Sequence, residues 1–215
     1  MGVVYAARDE RLERSVALKM ISSRTYDDTA RRRFWREART AAGFNHPNVC
    51  QIYEIGEDRG NLFIAMELLD GESLQSRLQK GPLEVGQAVS LGLHVLAALG
   101  ALHSRGIVHR DLKPSNVFLT LHGVKLLDFG LARPEAEHSV NTQTPLTGTG
   151  TVIGTPRYMA PEQIVGGHAL DARSDLFSFG SVLFEALAGR PAFAGQSVVE
   201  ILHATVYEQD RKSVV

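Results

Sequence analysis

Apolar and polar positions alternate over residues 3–8 and again over 15–21, with a charged stretch at 9–14 between them, which predicts two strands joined by a turn. The period then lengthens. Over 28–43, Phe34, Ala38, Ala41 and Ala42 gather on one side, Asp27, Asp28 and Thr29 offer capping oxygens, and Gly43 stands at the far end, so a helix is predicted. His46-Pro47-Asn48 breaks it, and two more strands, 49–56 and 61–68, are expected around a turn at 57–60. After Met66-Glu67-Leu68-Leu69 the alternation fails and a polar linker begins at Asp70-Gly71. Residues 83–105 are rich in Leu, Ala and Gly and too apolar all round to lie on a surface, which predicts a buried helix. Short strands follow at 117–119 and 124–127. No period marks 131–159, a length that points to a functional or disordered segment. A second buried helix is predicted at 171–188, where Leu176, Phe177, Phe179, Val182, Leu183, Phe184 and Leu187 fall on nearly every face and Gly189 terminates it; an amphipathic helix is expected at 197–207.

Composition narrows the classes. The 215 residues are 44% hydrophobic and 22% charged, enough for one globular unit or two small lobes. A formal net charge of -1 argues against a nucleic-acid partner, which selects for a basic surplus. The single cysteine, Cys50, excludes an intramolecular disulfide and a cysteine-based zinc site and suits a reducing cytoplasm; it reads as a small buried apolar residue. No signal peptide and no apolar run of about 18 residues is evident, so no membrane span is expected within the chain. His94 and His103 read as structural or surface residues, since no second ligand stands at i+4.

Candidate chemistry concentrates in His109-Arg110-Asp111-Leu112-Lys113-Pro114-Ser115-Asn116, followed after one hairpin by Asp128-Phe129-Gly130. The stretch supplies a carboxylate, an ammonium and a carboxamide in six residues, then a second carboxylate. That is an inventory for phosphoryl transfer: a base for a hydroxyl proton, a cation for phosphoryl oxygens, and hard oxygen ligands for Mg²⁺. Upstream, Lys19 sits in an apolar strand, where taken alone it reads as an edge lysine facing solvent. Glu37, on the apolar side of the first helix, is either a rim residue or an ion-pair partner. Asp175, inside the second apolar helix, requires hydrogen bonds if buried. Gly148, Gly150 and Gly154 come close to a phosphate-binding glycine pattern, but Ile153 takes the third position and no strand precedes it, so they read as loop.

The spacing of HRDLKPSN and DFG resembles the catalytic and magnesium-binding loops of the eukaryotic-type protein kinases. Residues 154–162, GTPRYMAPE, resemble the end of a kinase activation segment, and GVVYAARD and GTPRYMAPEQ resemble the bacterial members. The resemblance implies an α+β, bilobal fold: an antiparallel-sheet N-lobe with one helix over 1–69 and a larger, mainly helical C-lobe over 70–209. It implies ATP and Mg²⁺ as cofactors and protein Ser/Thr hydroxyls as substrates, because Lys113 stands two residues after the base. Asp111 would be the base, Lys113 would contact the γ-phosphoryl group, and Thr155 would fix both. Asn116 and Asp128 would hold metal. Lys19, paired with Glu37, would hold the α- and β-phosphates. Gly2, Val4, Ala17, Met66, Leu69, Phe118 and the backbone of Glu67 would form the nucleotide pocket, and Asp175 would anchor the HRD backbone.

Against the family pattern, only Gly2 remains of the glycine-rich loop, and the helices expected after 197–207 are missing, with the arginine that would pair Glu162. Residues 210–215 match a translated sequencing-adapter string and are set aside. A kinase domain fragment truncated at both ends, cytoplasmic and weakly active by itself, is therefore expected, with any membrane anchor lying elsewhere in a longer parent. Arg33, Arg110 and Arg133 would converge on a phosphate carried by Thr147, Thr149 or Thr151 after autophosphorylation between self-associating copies; alternatively, Arg33 is one of five arginines on a solvated face. The rival readings are a nucleotide-binding scaffold, in which Lys19, Asp111 or Asp128 would usually be lost, and a small-molecule phosphotransferase, which the threonine-rich segment and the Ala-Pro-Glu end do not suit.

Overall fold

The computed structural model describes residues 3–21, 28–128, 156–166 and 170–207, with 28–30, 33, 34, 37 and 40 described by backbone alone. The first turn is built by Asp9. Its carboxylate accepts the N–H groups of Arg11 and Leu12, both at 3.1 Å, and Nε of Arg14 at 3.3 Å. These bonds hold its pKa below the usual carboxylate value, the Leu12 N–H contributing most. The flanking strands are β1 (Val3–Asp9) and β2 (Arg14–Ile21). With β3 (Ile52–Asp58) and β4 (Asn61–Glu67) they form an antiparallel sheet of order β1-β2-β4-β3. The β3–β4 turn is tighter than expected: Arg59 and Gly60 both have positive φ, 50° and 79°, the two-residue conformation that matches strand twist. The strand expected from 49 begins only at Ile52, because Val49 is bridged instead to Leu126.

Helix α1 (Asp28–Ala42) lies against β3, buries Ala38 and Ala41, and pairs Arg31 with Glu57. A second, three-stranded antiparallel sheet joins β5 (Gly71–Ser73), β6 (Val117–Thr120) and β7 (Gly123–Leu126). Gly71 begins it at φ 142°, so the linker expected after 70 enters this sheet directly. Helix α2 (Leu74–Leu78) follows at once, capped by Ser73 Oγ, which accepts the Ser76 N–H at 3.1 Å. Then come α3 (Val85–His103), α4 (Pro161–Val165), α5 (Ala172–Ala188) with Asp171 as N-cap, and α6 (Val198–Tyr207).

The two sheets are stitched together beside α1. Asn48 accepts the Leu126 N–H at 2.8 Å and gives its side-chain amide to the Val124 carbonyl at 2.9 Å, while the Cys50 N–H donates to the Leu126 carbonyl at 2.9 Å. Lys125 of β7 reaches the Glu67 carboxylate at the end of β4, Nζ to Oε2 2.8 Å. Cys50 is buried as expected, and burial pushes its thiol up to about 12.

Two expectations about the apolar helices need correction. Helix α3 has 19 residues at hydropathy 1.7, long and apolar enough to cross a membrane by length and composition, although no such run was expected. Seven of its residues, Ala88 to Leu102, are buried in the core, and it packs against α5 and β7. Neither helix is covered all round. Val85, Val89, Leu93 and Leu96 of α3 are 41–69% exposed, and Leu176 and Leu187 of α5 are 49% and 44% exposed. Helix α5 instead turns Ser174, Asp175, Ser178 and Ser181 inward: Ser174 bonds Glu162 of α4, Asp175 and Ser178 bond neighbouring loops, and Ser181 bonds back to the Phe177 carbonyl of its own helix.

Candidate active site

The loop leaving α3 is fixed from beneath by Asp175. Its Oδ2 accepts the His109 N–H at 2.8 Å and meets Nε2 of His103 at 2.7 Å, while Oδ1 accepts the Arg110 N–H at 2.9 Å. Only 1% of Asp175 is exposed, and these bonds offset the cost of burying its charge. Its role as anchor was legible; the His103 contact, across 72 residues, was not. His109 is fully buried, and burial holds its imidazole below the ordinary histidine range. Its Nδ1 accepts the Asp111 N–H at the long distance of 3.4 Å.

Asp111 emerges from this anchored loop with its carboxylate held by two neighbours. Lys113 Nζ lies 2.8 Å from Oδ2, and the Asn116 amide donates to Oδ2 at 3.2 Å and to the Asp111 carbonyl at 2.8 Å. Asn116 is buried, and its carbonyl accepts the Leu127 N–H at 2.9 Å, placing the next residue, Asp128, beside this loop. Both Arg110 and Asp128 adopt left-handed backbone conformations, φ 65° and 55°, uncommon for side chains of their size and a mark of locally stored strain.

Asp128 forms an ion pair with Lys19, Oδ1 to Nζ 2.6 Å, and the lysine side chain is 14% exposed. Lys19 therefore faces an acid rather than solvent, as the pairing implied by the resemblance required, although the acid it meets is Asp128. The predicted partner, Glu37, lies on α1 with its side chain outside the described residues. Strand register places the rest of the pocket. Val4 is opposite Lys19, and Ala17 is opposite Met66, so all four share one face of the sheet. Leu69 follows β4, and Phe118 stands on β6 opposite Lys125. Glu67 N–H donates to the Gln51 carbonyl at 2.9 Å, and its side chain turns to Lys125. Gly2, Thr155, Arg133 and the threonines 147, 149 and 151 lie outside the described residues, as do the side chain of Arg33 and the tail 210–215.

Among the described residues, no three His, Cys, Asp or Glu side chains form a metal cluster. The Asn116 carboxamide and Asp128 carboxylate nevertheless fit Mg²⁺, which is commonly held by one or two protein oxygens plus phosphate oxygens and water. The segment entering α4 is docked on α5 by three bonds. Ser178 Oγ donates to the Tyr158 carbonyl at 2.6 Å, Ser174 Oγ to Glu162 Oε1 at 2.6 Å, and the Tyr158 hydroxyl to Glu185 Oε2 at 2.6 Å. Burial, reinforced by Glu185, pushes the Tyr158 hydroxyl far above its usual pKa. Glu162, expected to lack its arginine, thus has Ser174 as a partner.

The protein kinase domain family matches residues 1–213. A probable serine/threonine-protein kinase of Streptomyces coelicolor is 42% identical over 97% of this chain and 31% of its own length. Serine/threonine-protein kinase PknB of Mycobacterium leprae is 40% identical over 97% of this chain and 34% of its own length. The chain therefore spans about a third of the curated relatives it matches. The crystal structure of Rad53 1-466 in complex with AMP-PNP superimposes with a TM-score of 0.74 at 26% identity, covering 94% of this chain and 48% of that one. With the domain match spanning nearly all its residues, the chain belongs to the protein kinase family.

Proposed function

We propose that this chain is the catalytic region of an ATP-dependent serine/threonine protein kinase. The observation that carries the reading is the Asp111 carboxylate, held by Lys113 and Asn116 in a loop anchored on Asp175. A substrate hydroxyl gives its proton to Asp111 as its oxygen bonds to the γ-phosphorus, and the bond from that phosphorus to the β-γ bridging oxygen breaks, releasing ADP. Lys113 neutralises charge on the transferring group, and Thr155 supports it. Lys19 exchanges Asp128 for the α- and β-phosphates and is held there by Glu37. Asn116 and Asp128 would hold Mg²⁺, which when bound would screen the phosphate charge. Gly2, Val4, Ala17, Met66, Glu67, Leu69 and Phe118 enclose the nucleotide. The names of the relatives and the nucleotide analogue in the Rad53 complex support the substrate and cofactor classes.

The test is made in the full-length protein. Asp111→Asn lowers phosphotransfer to a protein substrate at least about a hundred-fold while Mg-ATP affinity stays within a few-fold of wild type, because Asp111 meets the hydroxyl rather than the nucleotide. Asp128→Ala instead damages the metal site, so that more Mg²⁺ is needed to support phosphotransfer. Wild-type turnover by Asp111→Asn would sink the assignment, and nucleotide binding without transfer by the unmodified protein would favour the scaffold reading.

A further inference from the structure

We infer that Gln163 is a positioning residue for phosphoryl transfer, holding the peptide that carries Asp111; this rests on the assignment of Asp111 as the base. Gln163 lies in α4, 5% exposed, and both ends of its amide are engaged. Oε1 accepts the Ala160 N–H at 2.9 Å, and Nε2 donates to the Arg110 carbonyl at 2.9 Å, across 53 residues. The first bond is an ordinary helix cap, which a glutamate in the same position makes equally well. The second requires a donor, and only the amide supplies it.

The acceptor is the reason this second bond matters. The Arg110 carbonyl and the Asp111 N–H are the two ends of one peptide unit, so whatever orients that plane sets where the Asp111 side chain begins. The N–H end donates to His109 Nδ1 at the long distance of 3.4 Å. The carbonyl end has the shorter bond from Gln163. Arg110 itself is left-handed at φ 65°, a conformation that persists where its surroundings over-determine it. Asp175 holds the residue at its N–H, and Gln163 holds it at its carbonyl.

Gln163 also belongs to the segment docked on α5 through Tyr158, Glu162 and their serine and glutamate partners. The amide therefore converts docking of that segment into orientation of the base. A segment that lifts from α5 withdraws the donor and removes this hold on the Arg110 carbonyl.

Two substitutions in the full-length protein separate positioning from capping. Gln163→Glu keeps the acceptor for Ala160 and sets a carboxylate oxygen against the Arg110 carbonyl; Gln163→Met keeps the length and removes both bonds. Each lowers kcat by about ten- to a hundred-fold with the KM for ATP within about three-fold of wild type, the pattern of a misplaced base rather than a damaged nucleotide pocket. Thermal unfolding of the same preparations reports folding, and Gln163→Met carries the test if Gln163→Glu does not fold. Wild-type kcat in Gln163→Glu, or a loss of kcat in Gln163→Met matched by an equal loss of ATP affinity, overturns the inference. Asp111→Asn run in parallel keeps the two claims apart: if it retains turnover the assignment of the base fails, whereas if it alone is inactive the role of Gln163 fails.

Discussion

At the scale of single residues, the site was legible where its chemistry is local. Asp111, Lys113 and Asn116 lie within six positions, and the bonds among them follow from that spacing. Partners chosen by topology were not legible: Lys19 with Asp128, Glu162 with Ser174, and Gln163 with Arg110 are each set by how distant elements meet. His109 carries a testable consequence of the same packing. Burial depresses its pKa, so over the interval from about 6.5 down to the folded value the unfolded chain binds a proton that the folded chain does not. Stability is therefore lost as pH falls through that window, with a slope approaching about 1.4 kcal/mol per pH unit, and is unaffected above it. Denaturant midpoints near pH 7.5 and 5.5 should move closer together in His109→Asn than in wild type; an equal spacing in both would show that His109 titrates normally.

At the scale of elements, alternation and period gave β1, β2, β4, α1 and α6 nearly to their observed ends. The short elements α2, α4 and β5 were missed because three to five residues display too little of a period, whereas the equally short β6 and β7 were placed by the HRD and DFG motifs that bracket them. Apolar content also overstated the burial of α3 and α5, since composition records how greasy a helix is and not which neighbours reach it. Two glycines show how differently one residue type is used. A Cβ on Gly71 would collide with the Leu119 carbonyl oxygen, and its φ of 142° admits few side chains, so Gly71→Ala should destabilise the fold by roughly 1–3 kcal/mol. A Cβ on Gly92, inside α3, would meet Phe179 at 3.5 Å in ordinary contact. Gly92→Ala should stabilise by about 0.5–1 kcal/mol through helix propensity. Chemical denaturation of both variants checks the pair, and a shift of the same sign in each would contradict it.

At the scale of the whole molecule, the proposed control of activity joins the two lobes. Arg110 follows the buried His109, Arg33 lies on α1, and a phosphate on Thr147, Thr149 or Thr151, which stand 15, 13 and 11 residues before Glu162, would draw them and Arg133 together. Replacing all three threonines by alanine should lower the activity of the full-length kinase at least about ten-fold, with peptide mapping of the active wild type placing phosphate on one of them. Full activity of the triple variant would remove the mechanism.

The stitching of Asn48 and Cys50 to β7 bears on how such lobes can move. By hydrogen bonding, 48–50 travels with the second sheet, although the chain enters it from α1 and leaves it for β3. The strand-rich lobe is thus tethered near 50–52 and again at 68–70, where β4 gives way to β5. A body held at one point can swivel freely. Held by the chain at two, it would swing chiefly about the line between them, like a door on a pair of pins, once the Lys19–Asp128 ion pair parts.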